Sequence, residues 1–127
     1  MIAGMGTDLA EVERIRRSIA QFGDRFLSRV YTPAERAYAT SKANSAERFA
    51  ARFAAKEAGM KAIGTGWSRG VGWQDFEVVN EPSGRPSLRL SGAALRVANS
   101  IGVRRISLSL THTKETAMAV VILEDAS

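Results

Sequence analysis

The sequence predicts an α+β fold, an antiparallel β-sheet packed with helices in one compact domain. A strand-like segment opens the chain, helical patterns follow, and later two pairs of strand-like segments are each separated by a connector. Such pairs predict hairpins rather than β-α-β crossovers, and hairpins place their strands in an antiparallel sheet. The length of 127 residues fits a single domain, which we expect to span 1–127, with a sizeable core.

The N-terminal third predicts a strand followed by short helices. Residues 2–8 are partly β-branched and punctuated by glycine, which predicts a strand that ends at Asp8. The apolar spacing after it predicts a helix over Leu9–Ala20, ended by Gly23. The next predicted elements are a short helix capped by Asp24 and a helix from Thr32 to about Ala39, whose Thr32-Pro33-Ala34-Glu35 start has the residues of a capping box.

A long helix is predicted over residues 48–63. Phe49, Phe53 and Met60 recur at offsets of four and seven, which puts them on one helical face, and the alanines between them favour helix. Its expected ends are a cap at Asn44 or Ser45 and a turn at Gly64-Thr65-Gly66.

The C-terminal half predicts two hairpins around one helix. The predicted elements are an irregular loop at 67–72, strands 73–79 and 87–91 joined by a turn at 81–86, a helix from Ser91 or Gly92 to Ile101, and strands 103–110 and 116–123 joined by a connector at 111–115. The last strand is nearly all apolar, which predicts a central position in the sheet.

The composition favours a basic protein with an anionic partner. The formal net charge of +5 leaves nucleic acid, a phosphate-rich small molecule and an acidic protein as candidate partners. Because the chain has no cysteine, a disulfide framework and thiolate chemistry are excluded. No apolar run approaches the ~20 residues of a membrane helix, and the N-terminus lacks a basic signal segment, so a cytoplasmic protein is expected.

Two acidic residues and a lysine are the main candidates for chemistry. Asp8 could cap the predicted helix at Leu9 or serve as a metal ligand at a strand end. Glu57 and Lys61 lie one helical turn apart at the edge of the buried face, where they form either an exposed ion pair or part of a site. Asp8 and Glu57 together could hold a hard cation such as Mg²⁺, with substrate phosphates and waters completing its shell.

Other familiar site patterns are weak. His112 is the one histidine and lies between two threonines, where it is either structural or part of a phosphate-binding turn. Ser107 and Ser109 have no neighbouring base in the sequence, which disfavours a hydrolase triad. The glycines that follow the long helix differ from a dinucleotide loop, which follows a strand.

Arginines and phenylalanines are interleaved near the predicted N-terminal helices, namely Arg14, Arg17, Phe22, Arg25, Phe26 and Arg29. Such a run is usually only a solvated face. Its composition also suits the docking of an acidic helical protein, because the arginines would steer the partner and the aromatic rings would anchor it.

In three blocks that contain most of these residues, the sequence resembles the bacterial holo-[acyl-carrier-protein] synthases, the short 4'-phosphopantetheinyl transferases. The blocks are Gly4-Met5-Gly6-Thr7-Asp8-Leu9 with Glu11 and Arg14, Arg52-Phe53-Ala54-Ala55-Lys56-Glu57 through Lys61 and Gly64-Thr65-Gly66, and Ser109-Leu110-Thr111-His112-Thr113-Lys114-Glu115. A Gly84-Arg85-Pro86 turn between two strands fits as well. The blocks follow the family's order and spacing over nearly the whole chain.

The resemblance implies the 4'-phosphopantetheinyl transferase fold and the family's reaction. The phosphopantetheine arm of coenzyme A would be transferred to a serine of apo-acyl carrier protein in support of fatty acid biosynthesis, releasing adenosine 3',5'-bisphosphate. The resemblance also implies Mg²⁺ as cofactor and a homotrimer with each site between two subunits. Neither nucleic acid nor a membrane is expected as a partner.

Site residues are also implied by position. Asp8 and Glu57 would ligate Mg²⁺, and together with Lys61, which would contact the diphosphate, they would form the catalytic set. The residues that would help to hold coenzyme A, some of them from the neighbouring subunit, are Arg52, Lys61, Gly64, Gly84, Arg85, Pro86, His112 and Thr113. The residues that would receive the acidic carrier are Arg14, Arg17, Phe22 and Arg25.

Three alternatives stay open at this point. The serine proton would go to Glu57 or to a metal-bound water, and the water is favoured because a carboxylate engaged on a metal is a poor base. Gly59 stands where the family commonly carries a bulkier residue, so it would widen the pocket beside the pantetheine arm. The rivals to the enzyme are a small basic nucleic-acid-binding domain, which the few aromatic residues disfavour, and a catalytically silent protein on the same fold.

Overall fold

Helices come early in the chain and hairpins late, as predicted. The computed structural model describes residues 1–66 and 68–127, so Trp67, in the loop predicted at 67–72, lies outside the described residues. The elements are β1 (Ile2–Glu11), α1 (Val12–Phe22), α2 (Asp24–Val30), α3 (Pro33–Thr40), α4 (Ser45–Ile63), β2 (Phe76–Asn80), β3 (Pro86–Leu90), α5 (Gly92–Ser100), β4 (Arg105–His112) and β5 (Thr116–Glu124), with a 3₁₀ turn at Trp73–Asp75. Across the described ranges, no helix has both the length and the apolar character that crossing a membrane requires.

Two antiparallel sheets form the β layer. The larger one has the order β1-β5-β4, and β2 pairs with β3 in a separate hairpin. The α+β fold and the central position of the last strand are therefore confirmed. The side chains that β5 turns toward the helices are all buried, namely Ala117, Ala119, Val121 and Leu123.

Helix α4 lies directly against strand β1, and two glycines make this possible. A Cβ on Gly4 would overlap the carbonyl oxygen of Ala62, and a Cβ on Gly6 would overlap that of Ala58. Because alternate residues of a strand share one face, Asp8 lies on the same side of β1 as these glycines. The close approach of strand and helix therefore places Asp8 beside α4.

A buried ion pair fastens α4 to its other neighbours. Lys56 donates to Glu35 Oε1 at 2.7 Å and to the backbone carbonyl of Phe76 at 2.5 Å, and both charged side chains are fully buried. The other oxygen of Glu35 accepts from the backbone N–H of Val78 at 2.8 Å. Glu35 also completes the predicted capping box with Thr32 at the start of α3. One pair of side chains thus links α3, α4 and β2.

The predicted end of β1 at Asp8 is wrong. The strand continues because its pairing with β5 extends until Glu11 lies opposite Thr116. Asp8 is therefore inside the strand, opposite Ala119, and it does not cap α1, which begins at Val12. Its carboxylate is left free to interact with α4.

Two later boundaries also differ from the prediction. β4 continues to His112, which pairs with Ala117 and so belongs to a strand rather than to the connector. Trp73–Asp75 forms a 3₁₀ turn instead of the start of β2. The cause is the Asp75 carboxylate, which accepts from the backbone N–H groups of Gly72 and Ala94, each at 3.3 Å.

Candidate functional site

Asp8, Glu57 and Lys61 come together where β1 crosses α4. Lys61 Nζ donates to Asp8 Oδ1 at 3.0 Å and to the backbone carbonyl of Thr7 at 3.1 Å. In the described part of the chain, the carboxylate within ion-pair distance of Lys61 is thus Asp8, and the simple Glu57–Lys61 pair is not formed. Strand and helix contribute to one cluster, which spacing within α4 could not reveal.

Glu57 lies in an electrostatically unfavourable place for a carboxylate. Burial raises the pKa of its carboxyl group above the ordinary value, and the negative charge of Asp8 raises it further. Lys61 and Arg14 act in the opposite direction and offset only part of this increase. The two carboxylates therefore repel each other, and additional positive charge near them would relieve this repulsion.

The donor set suits a hard cation that keeps open positions. Among the residues that the structure describes, no three His, Cys, Asp or Glu side chains cluster closely enough to form a metal cage. Asp8 and Glu57 provide two carboxylates, the number that Mg²⁺ commonly takes from a protein while water and substrate phosphates fill its remaining positions. The two residues therefore fit Mg²⁺ better than they fit a metal enclosed by protein alone.

Arg52 is buried rather than exposed to a ligand. Its guanidinium stacks on the ring of Tyr38 at 4.4 Å, and its Nη2 donates to Asn80 Oδ1 at 2.9 Å. Burial lowers its pKa, and the Nε atom has no hydrogen-bond partner among the described residues. Asn80 in turn donates to the carbonyl of Gly84 at 3.2 Å. The role that this geometry supports for Arg52 is to hold the turn that contains Gly84.

The predicted turn at 81–86 has the backbone that its glycine requires. Gly84 has φ 91°, a left-handed conformation that favours glycine, and its N–H donates to the carbonyl of Glu81 at 2.8 Å. Arg85 and Pro86 follow it and line an open depression of about 320 Å³ that also includes Arg105 of β4. Glu81 also lines the depression, so its charge is mixed, and Arg85 and Arg105 are the groups that could contact a phosphate.

His112 is held by a carboxylate that the sequence analysis did not identify. Its Nδ1 lies 3.0 Å from Oε1 of Glu47, in the first turn of α4. Thr113 is differently engaged, because its hydroxyl accepts from the backbone N–H groups of Glu115 and Thr116 within the β4–β5 turn. Of these two predicted coenzyme A residues, Thr113 is exposed but its hydroxyl is engaged within the turn, whereas His112 is more covered and keeps Nε2.

The predicted site residues fall into two groups on opposite edges of the larger sheet. Asp8 lies on β1, next to Glu57 and Lys61, and Gly64 ends α4 one turn beyond Lys61. His112 lies on β4, with the central strand β5 between it and Asp8. The members of the second group, on the side of β4 and the β2–β3 hairpin, are Arg52, Gly84, Arg85, Pro86, His112 and Thr113. Among the described residues, the central strand β5 thus separates Asp8 of the first group from His112 of the second.

The basic surface is present at the N-terminal helices. Phe22 is exposed, and the Arg25 guanidinium lies 5.2 Å from the centre of its ring. Phe22, Arg25, Phe26 and Arg29 line an open depression of about 320 Å³. Arg14 and Arg17 lie exposed on the preceding helix α1. The combination of apolar rings and guanidinium groups matches the surface predicted to dock an acidic protein.

The structure assigns Gly59 a different role from the predicted one. A Cβ at this position would lie 2.8 Å from the Phe76 ring and 3.1 Å from the Leu88 side chain. The glycine therefore lets the β2–β3 hairpin pack against α4 inside the core. The prediction that it widens a pocket beside the pantetheine arm is wrong, because a larger side chain here would collide with Phe76.

Glu47 and Asn80 contact predicted site residues, and sequence reasoning identified neither of them. Each acts on a residue far away in the chain, Glu47 on His112 and Asn80 on Arg52 and Gly84. No local spacing marks such pairs. Glu47 differs from an ordinary acidic residue at a helix start only in the partner that the fold brings to it.

Comparisons with known proteins agree over nearly the whole chain. A model described as the 4'-phosphopantetheinyl transferase superfamily matches residues 4–121. The holo-[acyl-carrier-protein] synthase of Solibacter usitatus is 62% identical over 125 residues, which cover 98% of this chain and 100% of that protein. The crystal structure of the Neisseria meningitidis holo-[acyl-carrier-protein] synthase superimposes with a TM-score of 0.89 at 34% identity, covering 98% of this chain and 100% of that one. The holo-(acyl-carrier-protein) synthase of Bacillus anthracis in complex with CoA (3',5'-ADP) gives a TM-score of 0.81 at 38% identity, covering 99% of both chains.

Proposed function

This chain belongs to the 4'-phosphopantetheinyl transferase superfamily, and we infer that it transfers the 4'-phosphopantetheine group from coenzyme A to a serine of apo-acyl carrier protein. The products are holo-acyl carrier protein and adenosine 3',5'-bisphosphate. The observation that carries this function is the nearly full-length match to a relative of that name together with the cluster of Asp8, Glu57 and Lys61. The alternative of a nucleic-acid-binding domain has no support from the relatives described above.

The reaction forms one bond to phosphorus and breaks another. The serine oxygen attacks the β-phosphorus of the coenzyme A diphosphate, the bond from that phosphorus to the bridging oxygen breaks, and the bridging oxygen leaves with adenosine 3',5'-bisphosphate. The serine hydroxyl proton must go to a base. Catalysis of phosphoryl transfer consists mainly of positioning and of neutralising negative charge.

Asp8, Glu57 and Lys61 supply these requirements in the proposed mechanism. Lys61 is half exposed, at 55% of its side chain, and its ammonium can reach a diphosphate while Asp8 holds its position. Asp8 and Glu57 would hold Mg²⁺, which when bound adds positive charge at the diphosphate. A carboxylate engaged on a metal would be a poor base, so a water oriented by Glu57 is the favoured acceptor of the serine proton and Glu57 itself is the second.

We propose that the chain forms a homotrimer through the outer face of its larger sheet. The exposed side chains of this face include Met5, Leu9 and Met118, and Leu9 lies opposite Met118 in the β1–β5 register. Thr7 lies between Met5 and Leu9 on the same face, so the face is mixed, but three large exposed apolar side chains close together are typical of an interface. Leu9→Glu is expected to yield monomers in sedimentation experiments. A variant that stays trimeric would contradict this interface.

The division of the site residues into two groups supports a site shared between subunits. A neighbouring copy could place its β4 and hairpin side against the Asp8 and Glu57 side of the first copy. Mixed trimers test this proposal, because an Asp8→Ala chain lacks one group and a His112→Ala chain lacks the other. In a closed ring of three mixed at random, about one quarter of the interfaces would be intact, so activity should reappear when the two inactive variants are refolded together. No gain over the separate variants would show that each chain works alone.

We propose that the surface of Arg14, Arg17, Phe22 and Arg25 receives the acidic carrier. Arg25→Glu should raise the KM for the carrier about tenfold or more, because it reverses one of the steering charges, and should leave the KM for coenzyme A unchanged. Arg96→Glu is the matched control, since Arg96 is exposed on α5, away from this surface. Equal effects of the two substitutions would overturn the assignment.

Mass spectrometry of an apo-acyl carrier protein tests the function directly. After incubation with coenzyme A, Mg²⁺ and the enzyme, the carrier should gain the mass of one phosphopantetheine, and EDTA should prevent the gain. A carrier that remains unmodified would refute the transferase, whereas modification unaffected by EDTA would refute only the metal.

A cytoplasmic location is part of the proposal and agrees with a chain that has no cysteine for disulfides.

A further inference from the structure

The Glu47–His112 pair joins two regular elements at the edge of the larger sheet. His112 is the last residue of β4, and Glu47 lies in the first turn of α4. Nδ1 of the ring and Oε1 of the carboxylate are 3.0 Å apart, and the two side chains are only 24% and 19% exposed. Because strand and helix are both fixed by the core, the ring is held between rigid supports.

The chemistry of the carboxylate decides where the proton of the ring lies. An ionised carboxylate can only accept hydrogen bonds, so the proton between the two groups must be on Nδ1. Glu47 lies in the first turn of α4, where the positive end of the helix dipole favours negative charge. Nε2 is therefore the nitrogen left for a ligand: it accepts a hydrogen bond in the neutral ring and donates one when the ring is protonated.

We propose that Glu47 is a positioning residue for coenzyme A. It holds His112 through Nδ1 and thereby directs Nε2 toward a phosphate of the bound cofactor. This inference rests on the proposed function and extends it to a residue outside the three blocks that carry the family resemblance.

The ligand class follows from the donors available at the ring. An imidazolium donates from both nitrogens, so a ring that already donates to Glu47 can donate from Nε2 to a phosphate oxygen. A ring fixed before binding loses less conformational freedom when the ligand arrives. Removing Glu47 should therefore weaken coenzyme A binding without changing the chemical step.

Kinetics of Glu47 variants test the positioning role. Glu47→Ala should raise the KM for coenzyme A about 10- to 150-fold, as expected for the loss of one hydrogen bond to a charged group, with kcat and the KM for the carrier within about threefold of the parent. Glu47→Gln should keep the KM for coenzyme A within about threefold, because its amide oxygen still accepts from Nδ1–H. Glu13→Ala is the control, since Glu13 is an exposed first-turn glutamate of α1 paired with Arg16. An unchanged KM for coenzyme A in Glu47→Ala would overturn the inference.

A double variant and NMR distinguish a role of Glu47 in positioning the His112 ring from a role in the stability of the fold. Glu47→Ala should add nothing to the KM effect of His112→Ala, because the carboxylate acts through the ring. Because His112 is the one histidine, ¹⁵N spectra report its tautomer directly, and Nδ1 should carry the proton in the parent and lose that preference in Glu47→Ala. Additive effects, or a tautomer that Glu47→Ala leaves unchanged, would refute the proposal. Failure of the parent to use coenzyme A would instead refute the proposed function, and this inference with it.

Discussion

Lys56 and Glu57 are neighbours in the chain and belong to two very different charged sites. Successive helical residues are turned about 100° from each other, so Lys56 faces α3 and β2 whereas Glu57 faces β1. Lys56 and Glu35 are fully buried and bonded to each other and to backbone groups. The carboxyl pKa of Glu57 is raised by burial and by Asp8, and the nearest lysine bonds to Asp8 instead.

The two sites differ in how many of their charged and hydrogen-bonding groups already have partners within the fold. The ammonium of Lys56 has Glu35 and the carbonyls of Trp73 and Phe76 as acceptors, so nothing remains for a ligand. The cluster of Asp8, Glu57 and Lys61 keeps unbalanced negative charge and open access. The first site therefore indicates structure, and the second indicates binding and catalysis.

The largest expected effect is the loss of stability when the buried pair is broken. Lys56→Met leaves Glu35 buried without its counter-charge, and we expect unfolding to become easier by about 3–5 kcal/mol. Urea denaturation measures this free energy. Replacing both partners, as in Lys56→Met with Glu35→Leu, should recover part of the loss because no unpaired charge remains, while the backbone N–H groups of Val78 and Thr32 still lose their acceptor. A single variant as stable as the parent would remove the contrast between the two sites.

The next effect is on turnover at the second site. Glu57→Gln removes a proposed metal ligand and possible base, and we expect turnover to fall at least about 100-fold, which corresponds to about 2.7 kcal/mol of transition-state stabilisation. The unfolding free energy should stay within about 1 kcal/mol of the parent and the proposed trimer should be retained, because Glu57 makes none of the hydrogen bonds or ion pairs described above. Glu13→Gln serves as the control, because Glu13 is an exposed residue of α1. Unimpaired turnover of Glu57→Gln would exclude Glu57 from the proposed metal site.

Local chemistry is enough to predict much of the fold. The Thr32 capping box, the alanine-rich α4 and the apolar β5 all depend on residues close in sequence, and all three are confirmed. The end of β1 is not predictable in this way. Residues 9–11 suit either a strand or a helix, and pairing with a strand more than a hundred residues later decides between them.

The sequence predicts which residues belong to the candidate site but not how they contact one another. The resemblance selects Asp8, Glu57 and Lys61, whereas the bond from Lys61 to Asp8 depends on two glycines that let β1 approach α4. Glu47 escapes prediction because its partner is 65 residues away. Contacts between distant segments carry the information that local patterns lack. The roles of the individual site residues stay predictions.

The close contact of Gly6 in β1 with Ala58 in α4 gives a third, smaller expected effect, on both stability and turnover. A Cβ in Gly6→Ala would overlap the Ala58 carbonyl and force β1 away from α4, at a cost of about 1–3 kcal/mol, as is typical of overpacking. Turnover should fall as well, because Asp8 moves with the strand. Gly72→Ala is the matched control, since Gly72 has φ −129° and open space around its Cβ direction. Equal unfolding free energies for the two variants would show that the contact does not hold Asp8 in place.

The smallest expected effect is a slope of stability against pH in EDTA. The folded protein keeps a proton on Glu57 up to a raised pKa, whereas the unfolded chain releases it near the ordinary value of 4.5. Between these two pKa values the folded state binds more protons, so the unfolding free energy must fall as pH rises through this window. Glu57→Gln should remove this contribution, worth a fraction of a kcal/mol at a partly exposed site, and Asp8→Asn should reduce it less because burial is the larger cause. Equilibrium unfolding of parent and variants across pH 4–7 measures the slope. Equal slopes in parent and Glu57→Gln would mean that the pKa of Glu57 is the same in the folded and the unfolded chain.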